Sequence, residues 1–195
     1  MKILIAVPTF EHIQNEVFQA IYDLDKCGHQ CDLKMFAGHD CARARNNIAD
    51  WSVAGGYDYV LMIDSDTIAP KDALKNLLDP EVDIVMGCCP KKNTKNKEYP
   101  LCRVQSPELR PCLTADDLQG TERIGIQVGG FACALVKTEV FTYMNYPYFS
   151  HLTKKSQQDK NNYNPQKKHL PRQEKAEEAS ICKPSEELRI QGMPR

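Results

Sequence analysis

Ile3 to Val7 is an unbroken apolar run halted by Pro8, and the residues after it switch to a helical spacing. Val17, Phe18, Ala20, Ile21 and Leu24 recur through Asn15 to Lys26, and Gly28 follows. The run predicts a strand buried on both faces, as in a mainly parallel sheet, and the spacing predicts a helix that the glycine ends. Strand, loop and helix make a βα unit. The alternation continues along the chain. Cys31 to Phe36 predicts a second strand, Tyr57 to Ile63 a third and Val82 to Gly87 a fourth. Between them, Ala42 to Gly55 predicts a helix with Ala44, Ile48, Ala49, Trp51 and Val53 near one side, and Lys71 to Leu78 another helix. Trp51 is accordingly expected in the core. Elements alternating at these lengths predict an α/β sandwich.

The pattern is lost between Pro90 and Ile124, where Pro100, Pro107 and Pro111 stand among polar residues and loops with a short hairpin are expected. It returns at Ile126 to Val136, interrupted by Gly129-Gly130, and Thr138 to Phe141 opens a short helix. A glycine pair in such a run allows a ligand or another backbone to come close, or forms a bulge needed only for packing. From His151 onward Lys, Gln, Glu, Asn and Pro dominate, and such a segment buries too little surface to offset its ordering entropy. The reading is a folded domain over 1–149 and a polar, mobile tail over 150–195, with a charged helix over 170–180.

Composition adds bounds rather than chemistry. A chain of 195 residues with 42% hydrophobic content buries one sizeable core, so one domain is expected. A net charge of −1 argues against nucleic acid or an anionic membrane surface as a partner. No stretch has the length and apolarity of a transmembrane segment, and Met1 to Val7 is too short for a secretory core, so the chain reads as cytoplasmic. Nine cysteines without a C-x-x-C pair argue against a zinc site and for reduced, mostly buried thiols.

The candidate chemistry lies at Asp64-Ser65-Asp66, directly after the apolar run Tyr59 to Ile63. Where the backbone turns at a strand end, two such carboxylates converge and present oxygens to a hard divalent cation, which could neutralise a diphosphate. The competing reading is a turn that caps the helix beginning near Pro70. Likewise Lys91, Lys92, Lys95 and Lys97 either attract a diphosphate or are simply solvated.

Four stretches stand in an order that decides between these readings: Val7-Pro8-Thr9-Phe10-Glu11, Ala42-Arg43-Ala44-Arg45-Asn46-Asn47-Ile48-Ala49, the strand ending in Asp64-Ser65-Asp66, and Val128 to Val136 followed by Lys137 to Phe141. Together, from Lys2 to about Phe149, they resemble nucleotide-sugar glycosyltransferases of the GT-A fold, the family-two-like group. The resemblance implies a Rossmann-like sandwich and transfer of a sugar from a nucleotide-diphosphate donor to a glycan, lipid or protein acceptor. It implies a donor site of Pro8, Thr9, Glu11, Arg45, Asp64, Ser65 and Asp66. Within it Thr9 and Glu11 lie by the base and ribose, and Arg45, with Arg43 as its understudy, faces the nucleotide or its phosphates. Asp64 faces the ribose, and Asp66 with Asp64 holds Mn²⁺ or Mg²⁺. Gly129, Gly130 and Phe131 fall on the acceptor side.

The family's acidic pair, commonly Glu-Asp, is missing after Phe149, so no residue is assigned as catalytic base. That departure keeps a second reading open, a truncated and inactive relative that binds nucleotide only. A third, a haloacid-dehalogenase-like phosphotransferase, fits less well. Its motif ends the first strand of the fold and carries Thr or Val where this chain has Ile68. A shifted frame would explain the missing pair, because Ile181 to Gln191 read one base forward permits YVNPAKNCGYR, which resembles the family's next strand and turn. The gene's nucleotides after Ser180 decide that point directly.

Overall fold

The first strand, β1 (Lys2–Pro8), shows why the opening run is apolar throughout. Ile3, Ile5 and Val7 enter one hydrophobic cluster, and Leu4 and Ala6 enter another on the opposite face. The first cluster takes Val17 and Ile21 from α1 (Asn15–Tyr22) and Leu24 just beyond it. The second takes Ala42, Ile48 and Ala49 from α2 (Cys41–Ala54). Strand β3 (Tyr59–Ile63) divides in the same way, with Tyr59, Leu61 and Ile63 on the α1 side and Val60 and Met62 on the α2 side. Helices therefore cover both faces of the central strands, the condition under which a strand loses its polar alternation.

The computed structural model describes residues 1–90, 101–102, 123–126, 128–151, 179–181 and 188–191. The remaining elements are β2 (Gln30–Phe36), α3 (Ala73–Leu77), β4 (Ile84–Gly87), β5 (Leu101–Cys102), β6 (Arg123–Ile126), β7 (Val128–Gly129), β8 (Cys133–Lys137), α4 (Val140–Tyr143), β9 (Phe149–His151), β10 (Ala179–Ile181) and β11 (Leu188–Gln191). The main sheet runs β2-β1-β3-β8-β4-β11-β6. Strands β2, β1, β3, β4 and β11 point one way, while β8 and β6 run against them. The protein is thus an α/β fold whose sheet is mostly parallel at its core. Two pairs stand apart, β9 with β10 and β5 with β7.

Several expectations shift. Helix α1 stops at Tyr22, short of Lys26, and the chain turns further on, at Cys27 (φ 52) and Gly28 (φ 73). The Asp25 carboxylate fixes that turn by accepting the Cys27 N–H at 2.9 Å. Two short runs of the segment expected to be a mobile tail are strands, β10 and β11, and β11 enters the main sheet between β4 and β6. The sequence Leu188-Arg189-Ile190-Gln191 has a strand's alternation. The rest of 152–195 lies outside the described residues, as does the lysine-rich segment 91–97. Trp51 is not in the core: it is 48% exposed, with the Lys34 ammonium 3.3 Å from its ring centroid. The inward face of α2 instead carries Ala42, Ala44, Asn46, Ile48, Ala49 and Ser52. Asn46 faces inward because it finds the Phe149 backbone there, Ser52 satisfies its hydroxyl on the Ala49 carbonyl of its own helix, and Trp51 and Val53 are left outside. Cys27, Cys31, Cys41, Cys88, Cys89 and Cys133 are free thiols, and of these only Cys133 is buried. Cys27, Cys31, Cys88 and Cys89 are half-buried and Cys41 is exposed. Among the described residues no helix is long and apolar enough to cross a membrane.

The amino ends of the central strands are cross-tied. The Asp58 carboxylate accepts the Lys2 backbone N–H at 2.7 Å, and the Asp58 N–H returns to the Lys2 carbonyl at 2.8 Å. The Asp58 carbonyl accepts the Thr138 N–H at 3.0 Å, and Lys137 pairs with Asp83 at 2.8 Å. Helix α2 ends beside this corner at Gly55, followed by Gly56 at φ 62. A Cβ on Gly55 would run into the edge of the Tyr57 ring. That ring is fixed from both sides, its hydroxyl donating to Asp32 at 2.8 Å and the Lys2 ammonium lying 4.2 Å from its centroid. Gly55→Ala is expected to cost about 1–3 kcal/mol through this overpacking. Urea unfolding checks it, as a lower midpoint at unchanged m.

Candidate functional site

The chain leaves β1 through α1 to reach β2 on one side, then returns through α2 on the other face to reach β3 on the far side. Order reverses at β1. The loops that leave the carboxyl ends of β1 and β3 therefore diverge around a crevice, where open α/β sheets bind ligands. One loop runs from Thr9 to Gln14 and the other starts at Asp64. The Gln14 N–H bridges them by donating to the Ser65 carbonyl at 3.3 Å. Because β8 runs antiparallel, its first residues arrive at the same end, and the Asp64 N–H donates to the Ala132 carbonyl at 2.9 Å.

Arg45 reaches this crevice from the second turn of α2. Asp40 caps that helix, its carboxylate accepting the N–H groups of Ala42 and Arg43 at 3.0 Å each. The Arg45 Nη2 donates to Asp64 Oδ1 at 2.9 Å and to the Phe131 carbonyl at 3.4 Å. Its guanidinium carbon lies 5.7 Å from the Phe131 ring centroid. Its Nε is buried and has no partner among the described residues. The two side chains retain little exposure, 13% for Arg45 and 28% for Asp64. Burial pushes the Asp64 carboxyl above its ordinary value, Arg45 pulls it back down, and the nearby Asp66 charge adds to the rise.

The other predicted residues take distinct positions. Pro8 is buried at the end of β1. Thr9 is buried too, its N–H donating to the Phe36 carbonyl at 3.1 Å and its hydroxyl to the His12 carbonyl at 2.6 Å. That hydroxyl shapes the loop in this conformation. Glu11 and Asp66 are exposed, Ser65 half-exposed. Arg43 is exposed in the first turn of α2. Gly129 and Phe131 are buried and Gly130 half-buried, with the Phe131 ring edge-on to Phe149 at 5.3 Å.

Two features escape a reading by motif. Asn46 clamps β9 to α2: its amide donates to the Phe149 carbonyl at 2.7 Å and accepts the Phe149 N–H at 3.1 Å. A polar residue inside the apolar stripe of α2 was the available signal. Phe10 and Ile68, 69% and 63% exposed, stand on the loops after β1 and β3.

Among the described residues no group of three or more His, Cys, Asp or Glu could hold a metal ion. Asp64 and Asp66 supply carboxylate oxygens, the donor set of Mg²⁺ or Mn²⁺ sites that use one or two carboxylates and take further oxygens from substrate phosphates.

No family model and no curated protein matches the chain. Among solved structures, the crystal structure of A197 from STIV is similar at a TM-score of 0.52 and 14% identity, covering 76% of this chain and 71% of that one. At that identity the likeness concerns the fold alone, an α/β architecture shared over most of both chains.

Proposed function

We propose that the chain is a glycosyltransferase of GT-A-like fold that binds a nucleotide-diphosphate sugar and transfers the sugar to an acceptor. The observation that carries the reading is the position of Asp64-Ser65-Asp66 at the carboxyl end of β3, in the crevice where strand order reverses. The loop after β1 walls one side, and the segment from Gly129 to Ala132 joins the floor through the Asp64 and Arg45 hydrogen bonds. In this proposal Asp66 is the principal ligand for Mn²⁺ or Mg²⁺, and Asp64, oriented by Arg45, faces the donor. The bound ion would neutralise the departing diphosphate. Thr9 keeps the loop after β1 in shape, and Glu11 faces the base and ribose from that loop. A cytoplasmic location belongs to the same proposal.

Calorimetric titration of uridine and guanosine diphosphates, with and without Mn²⁺, tests the donor site. Manganese-dependent binding is expected, and Asp66→Ala is expected to weaken it by about tenfold or more, the worth of one charged contact. Absence of binding under every condition would remove the transferase reading and leave the fold. Binding without turnover is the second reading, favoured by the missing Glu-Asp pair. Metal-dependent binding together with no loss of sugar from any donor would select it.

A further inference from the structure

Arg45 holds Asp64 at a single point. Both of its hydrogen bonds, to Asp64 Oδ1 and to the Phe131 carbonyl, come from Nη2, while the Nε–H is buried without a partner among the described residues. A guanidinium is built to donate along two edges at once, and a carboxylate or phosphate is its natural two-pronged acceptor. The contact therefore leaves a donor of Arg45 unsatisfied, yet it covers an oxygen of a carboxylate that a cation would need.

We infer that Arg45 is an internal cation that occupies Asp64 while the crevice is empty and yields it when a diphosphate arrives, so that divalent metal and diphosphate strengthen each other's binding. The inference rests on the donor site proposed above. The diphosphate draws the guanidinium towards itself by offering oxygens to Nε as well as Nη2, and Asp64 is uncovered for the metal beside Asp66. The Phe131 ring and carbonyl give the guanidinium its resting place. By linkage the coupling is reciprocal: whatever the diphosphate adds to metal affinity, the metal adds to diphosphate affinity.

Mn²⁺ alone, followed by the loss of the free-ion electron paramagnetic signal at neutral pH, is the direct probe. Arg45→Met, which keeps the stem and removes the charge, is expected to bind Mn²⁺ about tenfold or more tightly than the wild type in the absence of nucleotide. An arginine beside a carboxylate depresses that carboxylate's affinity for a proton, the simplest cation, by at least this factor. Arg45→Gln, a second neutral variant for the event that the methionine protein does not fold, should show the same gain. Arg45→Lys keeps the charge and should not. Adding Asp64→Asn to either neutral variant should remove the gain. Uridine diphosphate should then tighten Mn²⁺ binding in the wild type and do so far less in the neutral variants. Unchanged or weaker Mn²⁺ binding by folded neutral variants overturns the inference, as does a gain that survives Asp64→Asn. These titrations without nucleotide fail or succeed separately from the nucleotide titrations, which judge the donor site itself.

Discussion

Arg45→Met should lower folding stability by about 2–3 kcal/mol at neutral pH, and the loss should vanish in acid. Removing one partner of a largely buried pair leaves the other charge uncompensated, and the partial exposure of Asp64 keeps the cost at the low end of that class. The pH dependence follows from the direction of the Asp64 shift. Its folded carboxyl already sits above the ordinary 3.8, first because of burial, and Arg45 is what restrains the rise. A raised carboxyl means that the folded state holds its proton more tightly than the unfolded chain. The favourable contribution is therefore full below 3.8 and is lost as pH rises through the folded value. Without Arg45 that value moves further up, and more stability is lost before the group is ionised. Urea unfolding of both proteins across the acid range should show two curves that converge below pH 3.8 and separate above it. A deficit independent of pH would mean that Arg45 acts by packing its stem, and the electrostatic account would fall.

Asn46→Ala should be about as damaging, near 3 kcal/mol, by a route that no pH change relieves. The side chain closes a two-bond ring with the Phe149 backbone, and both the carbonyl and the N–H of Phe149 are left without their partner when it is cut back. Each buried group so orphaned costs about 1–3 kcal/mol. The damage also reaches the site, since Phe149 supports the edge of the Phe131 ring and the Phe131 carbonyl receives Arg45. Hydrogen exchange at the Phe149 amide gives a local readout. Protection there should fall well before the main sheet is affected, and unchanged protection with an unchanged urea midpoint would refute the clamp.

The central strands were legible because burial on both faces leaves no room for polar alternation, and β1 and β3 carry unbroken apolar runs. The Asp-Ser-Asp turn was legible for the same reason, as the first polar residues after such a run. Ala44, Ile48 and Ala49 of α2 face inward as read, but sequence could not show that Trp51 and Val53 stay outside. Trp51 and Val53 outweighed Asn46 and Ser52 by apolarity, yet Asn46 finds the Phe149 backbone inside and Ser52 a carbonyl of its own helix, and a linear pattern does not contain the first of those partners. The same limit applies to Arg45. The resemblance implied that Arg45 faces the nucleotide or its phosphates, but its seat on Asp64 depends on the antiparallel entry of β8, which brings Phe131 to the crevice. Strand β11 was hidden in a polar context, where four alternating residues carry little signal.

The two ends of the sheet are unequally fastened. At the amino ends of the strands, Asp58 binds the backbones of Lys2 and Thr138 together, and an ion pair reinforces the corner. Across the crevice, the loops after β1 and β3 meet through the 3.3 Å contact between Gln14 and Ser65. Opening is therefore expected there first, where one long hydrogen bond, worth about 1 kcal/mol, and the apolar packing of Ile13 hold the loops while the strand ladder stays intact. Under the proposed function, a bulky donor would enter at that end without any prior unfolding.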